Sequence, residues 1–524
     1  MRALAAAVAA AAAVASATAP TPPPPPPPWP FSWDKISTFA SPGASARFMN
    51  ASELARFSNF SMMNIWGLNA TCVNTTTGAL FAPSCPGSWC DCIGAPAFHR
   101  AAGYEAQRWV LNMDESLQAQ SAALKAAAGA GRVLPVIGYF NLDVAQQYSR
   151  HQFDFCYDNE TFAALRLVVE SKGRQIDCFV DNCNYQGMEF CMYDFRLPAA
   201  RDFWVETVLP ALIDSPDIDG VFLDECDNLV NNLCAQWGCT PQELADLTNG
   251  TLTLIDAALA KAAALGKWLS ISLTSTLARN PAYHAAVLDS IGRHGHGFRY
   301  YEFFSSESDL EAFIYEAQTL GLPVQAHAES MHMTPDFAEL AAFLIAAGPY
   351  SYFSFSWGWT LSDFPWLSYF DEPLGAPLGP PVRSNSSVPV PAWAVLNATN
   401  VVCGLVPAPG RSGPNVAFLG SLGSADACAA AARANATLSS WTWVGPDGGE
   451  WSHGCYARLE PPPPSCLPPN AGGCNAPCYT DSEPAIASAV NYAFLRNSSV
   501  WSRDFEHLHV EFEPASYAAR ITAR

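Results

Sequence analysis

Asp217-Ile218-Asp219-Gly220-Val221-Phe222-Leu223-Asp224-Glu225 is the stretch of sequence that decides the fold. Asp219 and Gly220 predict a turn, and the apolar run after them predicts a strand buried on both faces, as in a parallel sheet. Asp224 lies where this strand ends, and Glu225 follows directly. Strand alternation would point Glu225 away from Asp224 unless the strand stops there. The alternative is an acidic loop that closes a purely structural strand.

Short apolar runs alternate with helical patterns from about residue 55 onward, which predicts βα units around a parallel sheet. Apolar residues three or four apart predict helices over residues 114–128, 199–213, 241–264 and 334–347. Eight such units fit the size of a (β/α)8 TIM barrel, in the α/β class. The alternative, a doubly wound open sheet, needs a glycine-rich turn after its first strand, and Trp66-Gly67-Leu68-Asn69 is not one. The eight predicted strands are residues 61–66, 134–139, 177–181, 220–224, 268–273, 299–303, 323–328 and 350–355.

The composition excludes several classes of protein. Half of the 524 residues are hydrophobic and 12% are aromatic, so the chain can bury large cores and is not globally disordered. The 48 acidic residues outnumber the 27 basic ones, which gives a net charge of −21. This charge repels nucleic acids and anionic membranes, and neither is expected as a partner. No apolar run after residue 20 reaches the ~18 residues of a transmembrane helix.

The first residues predict export. Arg2 precedes an Ala-rich apolar run, and Ala15-Ser16-Ala17 resembles a cleavage site, so residues 1–19 read as a signal peptide, with cleavage after Ala17 favoured. A low-complexity alanine tail is the alternative. The prolines of residues 22–28 predict a stiff linker over residues 20–32. We therefore expect a secreted, extracellular glycoprotein. Ten Asn-x-Ser/Thr sequons could carry glycans, at Asn50, Asn59, Asn69, Asn74, Asn159, Asn249, Asn385, Asn397, Asn435 and Asn497.

The seventeen cysteines support the same compartment. Many of them crowd into short segments, and in an oxidising compartment this pattern predicts disulfides. A zinc site is the alternative, but no paired CxxC spacing occurs. Because seventeen is odd, at least one thiol stays free or pairs between chains. The four crowded segments hold Cys85, Cys90 and Cys92; Cys178, Cys183 and Cys191; Cys226, Cys234 and Cys239; and Cys466, Cys474 and Cys478.

The candidate site follows from the barrel, because active sites of this fold lie at the carboxyl ends of the strands. Glycoside hydrolysis requires two carboxyl groups on opposite sides of the scissile bond, one protonated and one ionised. Aromatic faces stack on sugar rings, and polar side chains bind sugar hydroxyls. The predicted catalytic residues are Asp224 and Glu302, with Glu329 in reserve. The predicted substrate-binding residues are Trp66, Tyr139, Asn141, Asp181, Glu225, Trp357 and Trp359.

Other chemistries have weaker support in the sequence. His294, His296 and His327 could join these acids in a metal site, but His294-Gly295-His296 lacks a third nearby ligand. Hydrolysis by a Ser–His–Asp triad lacks a GxSxG motif. We predict no cofactor and no metal. A non-catalytic carbohydrate-binding or cell-surface adhesion protein is the alternative to a secreted glycosidase.

The segment Asp219-Gly220-Val221-Phe222-Leu223-Asp224 resembles the fourth-strand motif of barrel glycoside hydrolases. Residues 370–377 and 502–507 resemble the closing section of glycoside-hydrolase-like barrel proteins of unassigned substrate. The resemblance covers roughly residues 45–380 and 490–524, and it implies that Asp224 is the fourth-strand catalytic acid, with Glu302 or Glu329 as its partner. The alpha-amylase pattern would place a Glu after strand five, and this sequence has none there.

Residues 385–483 lie between the barrel, predicted over residues 33–384, and a C-terminal strand segment over residues 484–524 that packs on it. They resemble a PAN/apple-like module through Ser424-Ala425-Asp426-Ala427-Cys428, Ser440-Trp441-Thr442-Trp443 and Gly454-Cys455-Tyr456-Ala457-Arg458. Ala431 and Leu438 stand where related modules often carry cysteines. The resemblance implies a protein or glycan ligand and a Cys428–Cys455 bridge. In the C-terminal segment, Leu508, Val510 and Phe512 alternate with polar residues, which predicts a strand.

Overall fold

The computed structural model describes two compact units. The first contains residues 1–330, 342–377 and 505–508, and the second contains residues 331–341, 378–504 and 509–524. The described residues are 26–43, 47–67, 72–74, 109–111, 113–145, 149–176, 178–181, 191–273, 280–302, 304, 309–329, 337–385, 394–396, 416–421, 440–444, 454–458, 489–493, 499–514 and 518–524.

Eight parallel strands of the first unit form a nearly closed barrel with helices around it, as the sequence predicts. Each strand pairs with the next one along the chain, and a parallel bridge between Thr38 and Phe353 joins the first strand to the last. The backbone N–H of Phe353 donates to the carbonyl of Ser37 at 2.9 Å in the same place. The strands are β1 (Phe39–Ala40), β2 (Met62–Ile65), β3 (Val136–Asn141), β4 (Gly220–Asp224), β5 (Trp268–Ser272), β6 (Gly297–Tyr301), β7 (Val324–Glu329) and β8 (Ser351–Ser356).

Large side chains fill the interior of the barrel. Successive residues of a strand point to opposite faces, so one residue in two on each strand lies inside. Trp29 precedes β1 and closes the cluster at the amino ends of the strands, where its indole stacks on Phe298 with ring centroids 5.9 Å apart. The indole N–H of Trp29 also donates to the Tyr352 hydroxyl at 2.9 Å. The cluster consists of Trp29, Phe39, Met62, Ile137, Phe222, Trp268, Phe298, Tyr300 and Tyr352.

The longest helix begins at a clear capping signal in the sequence. Thr240 caps Pro241–Ala264 through a reciprocal bond with Glu243, and Pro241 occupies the first turn, where proline is tolerated. The four predicted helices are confirmed, the second of them through a π-helical turn at Trp204–Val208. The helices are Ala51–Phe57, Met113–Ala128, Arg150–Tyr157, Asn159–Phe162, Cys178–Asp181, Pro198–Phe203, Pro210–Ile213, Cys234–Trp237, Pro241–Ala264, Pro281–His294, Leu310–Ile314 and Phe337–Ala346.

Shorter elements connect these helices and strands. Two further π-helical turns lie at Leu229–Leu233 and Tyr315–Thr319, and 3₁₀ turns lie at Ala163–Leu165 and Ser368–Asp371. Three small antiparallel ladders pair Cys72–Asn74 with Trp109–Leu111, Val144–Ala145 with Cys191–Met192, and Val168–Val169 with Arg174–Gln175.

The predicted third strand is wrong. Within residues 177–181 the structure has a helical turn, Cys178–Asp181. The first barrel strand is instead Phe39–Ala40, whose two residues are too few to show an alternating pattern. These two errors compensate, because one strand was predicted in excess and one was missed before residue 220. Gly220–Asp224 is therefore the fourth strand of the barrel, as predicted.

Disulfides are present in the described part of the chain, as predicted. Cys156 bonds Cys191, Cys234 bonds Cys239, and Cys178 is also disulfide-bonded. Cys226, which the sequence groups with Cys234 and Cys239, is a buried free thiol. Burial raises the pKa of the Cys226 thiol well above its ordinary value. It therefore stays protonated and unreactive.

The second unit contains antiparallel sheets. One has the order β9 (Val382–Asn385), β10 (Ser499–Asp504), β11 (Leu508–Glu513) and β12 (Ala518–Ala523). Every second residue of β11 is buried, which confirms the predicted alternation of Leu508, Val510 and Phe512. A five-stranded sheet has the order Ala394–Leu396, Ala489–Ala493, Ser440–Val444, Gly454–Arg458 and Val416–Ser421.

Several predictions fall on residues that the structure does not describe. Residues 1–25, with the predicted signal peptide and most of the proline run, lie outside the described residues, and so does the implied Cys428–Cys455 bridge. The predicted domain boundaries and the apple-like resemblance remain predictions. Among the helices of the described ranges, none has the length and apolar character needed to cross a membrane.

Candidate active site

Asp224 is the last residue of β4 and lies at the carboxyl end of the barrel. Its register partner on β3 is Asn141, the last residue of that strand. Asp224 is two residues beyond Phe222, a member of the interior cluster, so strand alternation places its side chain on the interior face. Asp224 is half-buried, while Asn141 is fully buried. The fourth strand therefore ends in a carboxyl group at the mouth of the barrel, as the sequence predicts.

Tyr139 holds this carboxyl group from the neighbouring strand. Its hydroxyl donates to Oδ2 of Asp224 at 2.8 Å. The Tyr139 ring lies between two other aromatic rings, with centroid distances of 5.8 Å to Trp66 and 5.5 Å to Phe222. Tyr139 and Trp66 are both half-buried. Asp224 thus sits beside a partly open aromatic wall.

The surroundings of Asp224 favour its neutral form. Desolvation by burial, followed by the charge of Glu225, raises the pKa of Asp224 from its ordinary value of 3.8 to about 7. The hydrogen bonds from Tyr139 and from the backbone N–H of Glu225, with a smaller contribution from Ser272 of β5, lower the pKa, but they do not offset the first two effects. A carboxyl group with a pKa near 7 can donate a proton at neutral pH.

Glu225 adopts a backbone conformation that is unusual for its residue type. Its φ is 53°, in the left-handed region that residues other than glycine rarely occupy. The backbone N–H of Glu225 donates to Oδ1 of Asp224 at 2.8 Å. Its side-chain Oε2 accepts from the amides of Asn141 at 3.2 Å and Asn228 at 3.3 Å. The strand has ended at this point, so Glu225 lies beside Asp224 and does not follow strand alternation.

Two further buried acids stabilise the loop after β4. The buried Asp143 accepts the backbone N–H of Leu229 at 2.8 Å, and burial, followed by the charge of Glu225, raises its pKa well above the ordinary value. Asp227, also buried, accepts from the amide of Asn231 at 2.9 Å and lies 3.7 Å from His284. Because desolvation lowers the pKa of His284, the imidazole is favoured in its neutral form. The turn after β4 is therefore fixed by buried polar contacts.

Glu302 directly follows β6 and is half-buried. Its backbone carbonyl lies 2.7 Å from Nδ1 of His327, on β7. Since a carbonyl can only accept, Nδ1 of His327 carries the proton of this bond. The other ring nitrogen lies 2.7 Å from Oγ of Ser356, the last residue of β8. His327 is fully buried, which lowers its pKa to about 4, so a neutral ring joins the ends of β6 and β8.

The two predicted tryptophans after β8 lie near this histidine. Trp357 and Trp359 are half-buried, and the Trp359 ring centroid lies 4.5 Å from that of His327. The carbonyl of Trp359 accepts the backbone N–H of Gly43 at 2.7 Å. Gly43 in turn lies against Trp66, and a Cβ at residue 43 would overlap the Trp66 indole. Gly43 therefore connects Trp359, after β8, with Trp66, after β2.

Two predicted site residues are placed differently from the others. Glu329 is the last residue of β7 and pairs in register with Ser356, but its side chain lies outside the described residues. Asp181 lies on the helical turn Cys178–Asp181, where its carboxylate is 2.8 Å from Arg174 and 3.5 Å from Lys172. These ion pairs satisfy a buried charge. The prediction that Asp181 ends a barrel strand is wrong.

The histidines of the alternative metal site do not converge. Nε2 of His294 lies 2.9 Å from Asp256, and Nδ1 of His296 lies 2.9 Å from the carbonyl of Lys267. His296 and Lys267 directly precede β6 and β5, so they lie at the amino ends of the strands, whereas His327 approaches the carboxyl ends. In the ranges that the structure describes, no group of three or more His, Cys, Asp or Glu side chains could hold a metal ion.

Three residues of this region are not among the predicted site residues. Asn228 binds Glu225, Gly43 makes room for Trp66, and Asp143 adds a buried acid. Asn228 and Asp143 each lie within four residues of a predicted site residue, so a search of the whole loops after β3 and β4 could have found them. Gly43 carries no such signal, because it follows the two-residue strand that the pattern did not detect.

Residues 135–389 match the model of a family described as hypothetical glycosyl hydrolase family 15. The part of the barrel from β3 to β8 is therefore similar to this glycosyl hydrolase family. The matched segment begins one residue before β3 and includes β4 to β8, so it contains every strand that carries a candidate catalytic residue. A comparison with curated proteins gave no match.

Solved structures show low overall similarity to this chain. They include trehalose-6-phosphate hydrolase from Bacillus licheniformis, at 8% identity and a TM-score of 0.36, covering 62% of this chain and 65% of that one. The catalytic domain of beta-amylase from Paenibacillus polymyxa has 8% identity and a TM-score of 0.32, covering 65% of this chain and 96% of that one. The chain thus spans slightly less than two thirds of the first structure. At such scores these similarities carry no information about the reaction.

Proposed function

We propose that the chain hydrolyses glycosidic bonds of a poly- or oligosaccharide, with Asp224 as one catalytic carboxyl group. One observation carries the proposal. At the carboxyl end of β4, Asp224 is held by Tyr139 at 2.8 Å in surroundings that raise its pKa to about 7. The match to a glycosyl hydrolase family over residues 135–389 supports the same class of reaction. In this reaction Asp224 would protonate the oxygen of the leaving sugar.

Glu302 is the proposed partner of Asp224, with Glu329 in reserve. A glycosidase needs a second carboxylate ~5–10 Å from the acid, as nucleophile or as base for the attacking water. Glu302 follows β6 and is half-buried, and His327 fixes its backbone through the 2.7 Å contact. Glu329 ends the neighbouring strand β7. Ser272, at the end of the intervening strand β5, bears no charge that would compete with either carboxylate.

The aromatic side chains are the proposed sugar-binding surface. Trp66, Tyr139, Trp357 and Trp359 are half-buried at the carboxyl ends of β2, β3 and β8, so each exposes part of a ring. Partly exposed rings of this kind stack on the apolar faces of sugars. Asn141 was predicted to bind substrate, but its amide is buried and bonds Glu225, so we assign it a supporting role.

The test measures turnover by the purified full-length chain on a panel of polysaccharides and oligosaccharides. The release of reducing ends reports the rate. We expect the wild-type chain to cleave at least one member and Asp224→Asn to lose about 10²–10⁴-fold in rate. Asp202→Asn is the matched control, because Asp202 is exposed on the helix Pro198–Phe203. Sugar binding by a chain that cleaves nothing would instead support the alternative, a non-catalytic carbohydrate-binding or adhesion protein.

The identity of the partner can be tested on the same substrate. We expect Glu302→Gln to lose turnover by a similar factor and Glu329→Gln to lose less. If Glu302 is a nucleophile or base, azide should restore activity to Glu302→Ala and give a glycosyl azide. Azide rescue of Glu329→Ala alone would transfer the partner role to Glu329.

The proposed setting is extracellular. A signal peptide over residues 1–19 and the ten sequons motivate this part of the proposal, and the disulfides Cys156–Cys191 and Cys234–Cys239 are typical of an oxidising compartment. Expression in a secreting eukaryotic host should yield a chain that begins at Thr18 and loses mass on N-glycosidase treatment. A chain retained inside the cell with Met1 intact would contradict it. The apple-like module would bind a protein or glycan ligand.

A further inference from the structure

We propose that Glu225 is a positioning residue whose fixed carboxylate makes Asp224 the proton donor of the site. This role deepens the proposed glycosidase function and rests on it. The sequence alone predicted Glu225 to be a substrate-binding residue. The geometry of its backbone and side chain points instead to an action through Asp224.

The backbone of Glu225 places its carboxylate beside Asp224. In an extended conformation two successive residues point to opposite faces of the sheet. The left-handed φ of 53° at Glu225 breaks this alternation. Such a conformation is strained at a residue other than glycine, and strain of this kind clusters at functional sites. The bond from the Glu225 N–H to Oδ1 of Asp224, at 2.8 Å, stabilises the arrangement.

The side chain of Glu225 is then held by two amides from different elements. Asn141 ends β3, Asn228 lies three residues beyond Glu225, and both amide nitrogens donate to the same oxygen, Oε2. Two N–H donors at one oxygen match a charged carboxylate, which is a pure acceptor. Asn141 is itself fixed, because its Oδ1 accepts the backbone N–H groups of Asp143 at 3.0 Å and Val144 at 3.1 Å.

The groups around Asp224 show why the charge of the Glu225 carboxylate matters for the protonation of Asp224. From β3 and the turn after it, Tyr139 and Asp143 face the site, and Ser272 contributes from β5. From the loop after β4 come Glu225, Cys226 and Asp227. Tyr139, the backbone N–H of Glu225 and Ser272 favour the ionised form of Asp224, whereas the charge of the Glu225 carboxylate favours the protonated form. Burial, followed by the charge of Glu225, raises the pKa of Asp143 well above its ordinary value, which favours its neutral form.

The test compares Glu225→Gln with Glu225→Asp in the full-length chain. Gln keeps the shape of the side chain and removes its charge, while Asp keeps the charge and tolerates a left-handed backbone. For kcat/KM against pH, we expect the alkaline limb to move down by about one unit in Glu225→Gln. It should stay within a few tenths of a unit in Glu225→Asp. An unchanged limb in Glu225→Gln would overturn the proposal.

A second measurement separates this proposal from the glycosidase itself. The carboxyl carbon of Asp224 can be titrated by NMR in the labelled chain without substrate. A lower midpoint in Glu225→Gln than in the wild type supports the role of Glu225 even if no sugar is cleaved, in which case the proposed function fails alone. Equal midpoints overturn the role of Glu225 whatever the activity. If Glu225→Gln does not fold, Asn228→Ala, which frees one side of the carboxylate, should shift the midpoint in the same direction by a smaller amount.

Discussion

The hydroxyl of Tyr139 on β3 donates a 2.8 Å hydrogen bond to Oδ2 of Asp224 on β4. This bond and the backbone N–H of Glu225 favour the ionised form of Asp224, whereas burial and the charge of the Glu225 carboxylate favour the protonated form. The proton affinity of the proposed acid is therefore a balance between two neighbours that act in opposite directions. Changing either neighbour should move the pH dependence of the reaction in a direction that the structure fixes.

Tyr139→Phe should raise the pKa of Asp224. The variant keeps the ring against Trp66 and Phe222 but removes the donor that stabilises the anion. Because the protonated form is the active one, the alkaline limb of kcat/KM should move to higher pH by up to about one unit. The limb should move the opposite way from that of Glu225→Gln. An acidic limb that moves to higher pH while the alkaline limb stays in place would show instead that Asp224 acts in its ionised form.

Asp224→Asn should change how stability depends on pH. The pKa of Asp224 is about 7 in the folded chain and near its ordinary value of 3.8 when unfolded. The folded chain therefore binds the proton more tightly, and wild-type stability falls as pH rises from about 4 through about 7. An asparagine side chain does not titrate. The melting temperature of Asp224→Asn, measured relative to that of the wild type at the same pH, should therefore rise over that interval. The change should correspond to roughly 1–3 kcal/mol. A difference that stays constant from pH 4 to 8 would contradict the raised pKa.

Gly43→Ala should weaken substrate binding without touching an acid. A Cβ at residue 43 would overlap the Trp66 indole and displace it from its place beside Tyr139. If Trp66 stacks on a sugar, KM should rise by roughly fivefold, equivalent to about 1 kcal/mol, with a smaller change in kcat. Gly131→Ala is the control, because a Cβ at Gly131 meets open space. Equal kinetics in both variants would remove Trp66 from the binding surface.

Trp29→Ala should destabilise the barrel from its amino-terminal end. The side chain is almost fully buried, with ring contacts to Trp268 at 5.4 Å and Phe298 at 5.9 Å. Loss of such a side chain costs about 3–5 kcal/mol in unfolding free energy. Trp29→Phe keeps most of the packing but loses the hydrogen bond to Tyr352, which should lower the unfolding free energy by about 1 kcal/mol. Denaturant unfolding measures both, and an unfolding free energy in Trp29→Ala close to that of wild type would contradict the interior role.

Much of the fold could be predicted because its strands and helices have strong periodic patterns. Gly220–Asp224 and Pro241–Ala264 have the predicted bounds, since each carries a turn or cap signal next to an apolar pattern. The first strand could not be predicted, because Phe39–Ala40 is too short for any alternation to appear. Residues 177–181 show a short apolar run, but the structure has the helical turn Cys178–Asp181 there, whose last residue pairs with Arg174 and Lys172.

The candidate site was predictable at the strand ends and not in the turns. Asp224, Tyr139 and Asn141 follow from strand positions alone. The role of Glu225 could not be predicted, because it depends on one backbone torsion and on Asn228, which only the folded turn brings to Oε2. Likewise, Gly43 follows β1 and Trp66 follows β2. Their contact could not be predicted, because β1 was not predicted as a strand.

The central claim is that Asp224 donates a proton to a departing sugar. The most direct test compares Asp224→Asn with wild type on the cleaved oligosaccharide and on a glycosyl fluoride of the same sugar, whose leaving group needs no proton. Asp224→Asn should lose about 10²–10⁴-fold in rate on the oligosaccharide and less than about tenfold on the fluoride. Equal losses on both substrates, or no loss on either, would contradict the account.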